Sequence, residues 1–78
     1  MWCVVECNCD GGTIFSPDFF DTKEDAIKFI ENNANECYES ECDLPEANIY
    51  IGNDGLSATV STDEYSWVWQ AFDISNKI

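Results

Sequence analysis

Apolar and polar residues alternate at both ends of this chain and recur at three- to four-residue intervals in between. Trp2 to Asn8 is rich in β-branched and aromatic types, with Cys3, Val5 and Cys7 on one parity and Trp2 and Val4 on the other, which predicts a first strand. Cys9-Asp10-Gly11-Gly12 predicts a turn. Thr13 to Phe15 predicts a short second strand, ended by Ser16-Pro17-Asp18. Ala26, Ile27, Ile30, Ala34 and Cys37 then fall at helical spacing, flanked by Phe29 and Tyr38, and predict a helix from Thr22 to Tyr38. Asp21 is placed to cap it, with Glu24 at the third helical position as the reciprocal partner.

Three strands are predicted beyond Cys42-Asp43-Leu44-Pro45-Glu46. Ile49 to Asn53 leads into the hairpin signal Asp54-Gly55. Leu56, Ala58 and Val60 alternate with Ser57, Thr59 and Ser61, giving one dry and one wet face. Tyr65 to Ile74 is the most apolar strand, with Trp67, Trp69 and Ala71 on one side and Val68, Phe72 and Ile74 on the other. The order ββαβββ predicts an α+β fold, a single domain over residues 1–78. Its antiparallel sheet has strand order 2-1-5-4-3, and one amphipathic helix lies across one face. One helix covers one side only, so part of the aromatic surface is expected on the uncovered face, where such patches mark partner contacts. A sheet curled on itself, or covered by the loop 39–48, would serve equally.

Charge changes this picture most. The chain has 16 Asp and Glu against 3 Lys, with no Arg and no His, a formal net charge of −13 over 78 residues. Two charges about 5.5 Å apart in water repel by roughly 0.7 kcal/mol before screening, against the 5–15 kcal/mol or so by which small domains are stable. Solubility alone asks for a net charge of about 2–8, so an additional role for the acids is expected. With 45% apolar and 14% aromatic residues the chain has the material for a core and is expected to fold. No signal peptide and no apolar run of membrane-spanning length is visible, so a soluble, cytoplasmic protein is expected.

Several chemistries lose their residues. Without His, the commonest general base and any Ser–His or Cys–His nucleophile pair are absent. Without Arg, bidentate recognition of phosphate is absent too. No enzymatic activity and no cofactor are expected. Three lysines on so anionic a body cannot supply the phosphate contacts that direct nucleic-acid binding requires. The five cysteines, Cys3, Cys7, Cys9, Cys37 and Cys42, are expected to be reduced thiols. Their spacing fits the paired pattern of a zinc site poorly, since residues two apart in a strand lie about 6.6 Å from each other. A small cysteine-held metal module stays open as an alternative.

The acids favour the opposite role. A surface that carries carboxylates where DNA carries phosphates can occupy the basic cleft of a nucleic-acid-binding protein, with fast, salt-sensitive association. The candidate stripe is Asp21, Glu24, Asp25, Glu31, Glu36 and Glu39, continued by Glu41, Asp43 and Glu46. Trp67 and Trp69 are the candidate aromatic anchors, because interface energy concentrates in a few buried aromatics. In size, acidity and sheet-plus-helix plan the chain resembles the small phage and mobile-element inhibitors of host defence, anti-CRISPR proteins among them, some of which mimic DNA. The resemblance covers overall character and no motif. It implies a bacterial host cytoplasm and, as partner, a basic nucleic-acid-binding effector complex. The rival from another class is a structural or assembly protein, a homodimer joined through the aromatic sheet face.

Overall fold

The fold was derived from a computed structural model, which describes residues 1–75. Seven elements follow in order: β1 (Trp2–Asn8), β2 (Thr13–Ile14), β3 (Asp18–Phe20), α1 (Lys23–Glu41), β4 (Asn48–Ile51), β5 (Ser57–Ser61) and β6 (Ser66–Asp73). The six strands form one antiparallel sheet of order β2-β1-β6-β5-β4, with β3 pairing β1 on the same edge as β2. The helix packs on one face, so the chain is an α+β fold, and the predicted strand order is the observed one.

Two local expectations are corrected. The ββαβββ order lacks one strand: β2 ends before Ser16-Pro17 as expected, and β3 follows it. Ile14 pairs with Cys7, and after Ser16-Pro17 the chain returns to the same edge, where Phe19 pairs with Cys3. Proline has no N–H to donate, so it breaks the ladder without leaving the edge. The helix cap is Thr22 and not Asp21. Thr22 has extended backbone (φ −122°, ψ 154°), and its hydroxyl accepts from the Asp25 N–H at 3.2 Å. The residue paired with the cap is therefore Asp25, with Glu24 beside it in the first turn. The helix also runs on past Tyr38 to Glu41.

The core lies between α1 and the sheet. Ala26, Ile30 and Ala34 of the helix meet Val4, Ala58, Val60, Trp69 and Ala71 of the sheet, all buried. Small side chains on both layers let the helix approach closely, and Trp69 fills the larger space between them. Phe20 of β3 meets Phe29 of α1 with ring centroids 5.1 Å apart, which seals the broken edge. At the other edge the β4–β5 turn docks on the helix. Gly55 has φ +75°, and a Cβ there would stand 2.9 Å from Ile27 Cγ2, so glycine answers both the backbone and the contact.

Candidate functional site

The two faces of the sheet differ in charge. Residues directly opposed across an antiparallel ladder share a face. The helix side therefore carries Trp2, Val4, Glu6 and Asn8 of β1, with Asp73, Ala71, Trp69 and Trp67 of β6 opposite them in turn. Asp18 of β3, which pairs with Val4, lies on that side as well. Glu6, Asp18 and Asp73 are the charged residues of the strands, and all three face the helix layer.

The helix adds most of the rest. Glu24 and Glu31, seven residues apart, lie along one line of its outer surface about 10 Å from each other, and Asp25 and Glu36 along another about 16 Å apart. Glu39 completes the face, and all five side chains are exposed, as is Asp21 before the helix. Glu41 is half-buried, while Asp43 and Glu46 are exposed in the segment beyond. That segment is held by three backbone bonds: the Leu44 N–H donates to the Glu41 carbonyl at 3.0 Å, the Ala47 N–H to the Leu44 carbonyl at 3.3 Å, and the Asp63 N–H to the Pro45 carbonyl at 3.0 Å. Glu24, Asp25, Glu31, Glu36, Glu39 and Glu41 thus belong to α1, and Asp21, Asp43 and Glu46 to the segments that flank it.

Several of them sit where the backbone disfavours them. Glu39 and Glu41 occupy the last turn of α1, which contains no basic residue. The carbonyl end of a helix carries partial negative charge, so carboxylates there are destabilising by about 0.3–1 kcal/mol each. Glu46 adopts φ 59°, the left-handed region that costs a non-glycine residue about 1–2 kcal/mol.

The other face of the sheet is uncovered. Its rows run across the strands. Phe19, Cys3 and Phe72 form one, and Ile14, Cys7, Val68, Thr59 and Tyr50 another. Val5, Gln70 and Ser57 lie between these rows, and Ser66, Ser61 and Asn48 follow the second. No charged residue stands at any of these positions. The exposed apolar side chains here are Phe72 (50%), Phe19 (59%), Tyr50 (63%) and Ile14 (71%). The segment after the helix leaves them open.

This placement corrects the aromatic anchors. Trp69 is 2% exposed under the helix, and Trp67 is half-buried against the core, with the Tyr65 ring tilted against it at 5.7 Å between centroids. Neither belongs to the uncovered face, and Phe19, Phe72 and Tyr50 stand there instead. A signal for this lay in the sequence: the four-residue turn Thr62–Tyr65 pairs Ser61 with Ser66, so Ala58 opposes Trp69. The side of β5 that is dry then fixes the side of β6 that faces the core.

The cysteines do not converge. Among the described residues no three Cys, Asp or Glu side chains gather in a way that could hold a metal ion, and all five thiols are free. Cys37 is pushed up to about 11 by partial burial, with the Glu41 and Glu6 carboxylates adding to the shift. Cys7 is raised by desolvation and by its neighbour Cys9. Both stay as thiols at neutral pH, the less nucleophilic form. No ligand-sized pocket indents the described surface, and no helix in it is long and apolar enough to cross a membrane. No protein-family model matches the chain, and comparison with the curated proteins and with solved structures finds no match.

Proposed function

We propose that this chain is a non-enzymatic anionic decoy, which binds the cationic groove of a nucleic-acid-binding protein and excludes the polynucleotide. The surface used is the helix layer: Asp21, Glu24, Asp25, Glu31, Glu36 and Glu39, with Glu41, Asp43 and Glu46 at its end. The observation that carries the reading is the presence of acids at positions the fold penalises. A soluble helix surface has no need of carboxylates in its last turn or of glutamate at positive φ, and lysine or glycine would relieve each cost.

Support also comes from the segregation of charge. A groove built for a phosphate backbone meets many negative charges from one direction, and α1 carries Glu24, Glu31 and Glu39 on one side, with Lys28 as the cation among them. Following the resemblance to inhibitors of host defence, the target class is a basic nucleic-acid-binding effector complex.

The test is capture from a lysate of the host cell on immobilised chain, eluted by a sodium chloride gradient. A matched bait carries Glu31→Lys, Glu36→Lys and Glu39→Lys together. The native bait should retain a basic nucleic-acid-binding protein that elutes with salt and is displaced by added DNA. The triple variant should associate with that protein at least tenfold more slowly at low salt. Capture indifferent to salt, or an unchanged association rate for the variant, rejects the decoy.

A further inference from the structure

We propose that the uncovered sheet face is a self-association surface, on which a second copy packs sheet to sheet about a twofold axis passing near Gln70. This inference stands independently of the decoy reading and uses the opposite side of the molecule. β1 and β6 are the two strands whose apolar residues occupy both sides, the pattern of strands buried on both faces. One side is buried by α1. On the other, Phe19, Cys3 and Phe72 make an apolar row, and Val5, Cys7 and Val68 extend it towards Ile14 and Tyr50.

Electrostatics selects the occupant and its orientation. Two bodies of charge −13 repel wherever their acidic layers meet. The uncharged face is where two copies can touch without opposing carboxylates. Packed that way, the sheets lie about 10 Å apart and the helices point outward. Allowing about 10 Å more for each helix layer, the two anionic surfaces stand roughly 30 Å from each other, several Debye lengths at physiological ionic strength. A cationic partner would be drawn to the helix layer instead, leaving this face for a neutral surface like itself.

The available area agrees with a reversible dimer. The 29 strand residues, at ~3.3 Å each along the strands and ~4.8 Å between them, make a face of roughly 450 Å². Two copies would bury about 900 Å² together, in the range of weak, transient assemblies. β6 is the central strand and Gln70 lies near its midpoint, between Val5 and Ser57. A twofold axis through the centre sets Gln70 against its own copy.

Sedimentation velocity across the micromolar range tests this with the variants Gln70→Glu, Gln70→Lys and Phe72→Asp. Gln70 and Phe72 are exposed, so these variants should fold, which circular dichroism checks. The native chain should show a concentration-dependent dimer that is retained or tightened as salt rises. Each Gln70 variant alone should weaken it by about tenfold or more, and an equimolar mixture of the two should restore it, since Glu then faces Lys. A native chain that is monomeric up to its solubility limit overturns the proposal. So does a dimer untouched by all three variants, or a mixture that fails to restore association.

Discussion

Glu6 and Trp69 oppose each other across β1 and β6 on the helix-covered side of the sheet, yet the buried Trp69 indole N–H has no acceptor. The ring is held by packing between Ala-rich layers and not by its polar atom. Replacing Trp69 by Phe should therefore cost only about 1–2 kcal/mol, because the lost contact area is partly offset by removal of an orphan donor. Trp69→Ala should cost about 3–5 kcal/mol. Urea denaturation measures both losses, and a Trp69→Phe loss well above about 2 kcal/mol would count against an unbonded indole nitrogen.

The position of the cap separates two neighbouring residues. Thr22→Ala removes the acceptor of the Asp25 N–H and should lower stability by about 1 kcal/mol. Asp21→Ala should shift it by no more than about 0.5 kcal/mol, as expected of a surface change. Thermal melts of both variants at one salt concentration provide the comparison, and the reverse ranking would restore Asp21 as the cap.

Acids at positions the fold penalises should show a trade between stability and recognition. Glu39→Lys replaces a repulsive charge in the last helical turn with a favourable one and should stabilise the chain by about 0.5–1 kcal/mol. Glu46→Gly relieves the positive φ and should add about 0.5–1 kcal/mol. Under the decoy proposal both should bind the captured target less tightly. Variants that gain stability at no loss of binding would leave these two carboxylates without a role in the decoy.

Cys37 gives the stability curve an alkaline limb. Its folded value is raised to about 11 from the ordinary 9.0 by partial burial and by Glu41 and Glu6. Between those values the unfolded thiol has released its proton while the folded one keeps it. Rising pH therefore favours unfolding, and the contribution, complete below 9.0, is lost on the way to about 11. Cys37→Ala should flatten the fall over that interval, whatever its effect on stability at neutral pH. Chemical denaturation at stepped pH reads the two slopes, and parallel curves would mean that Cys37 is not their source.

Strand order was legible because hairpin turns and parity constrain a small antiparallel sheet tightly. Asp54-Gly55 and the turn at Thr62–Tyr65 tie β4 to β5 and β5 to β6, and the opposite directions of β1 and β6 allow them to close the middle. β3 was not legible. Its three residues, Asp18 to Phe20, have no periodicity of their own, and they are a strand only because the edge of β1 beside Trp2, Cys3 and Val4 is free to pair. The helix extends past its last apolar residue for a similar reason: nothing at Glu39, Ser40 or Glu41 breaks it, and the backbone bonds continue. Of the candidate site, the acidic residues were readable directly as charge. The tryptophans were misplaced because the buried side of β6 depends on register across β5, a relation between two strands and not a property of either.

The carboxylates of α1 and of the strands, all on one side of the sheet, give each copy an electrical polarity normal to it. A tumbling copy that nears a cationic surface feels a torque as well as an attraction, and it turns its helix forward while still a Debye length away. Encounters then begin already aligned, helix layer first.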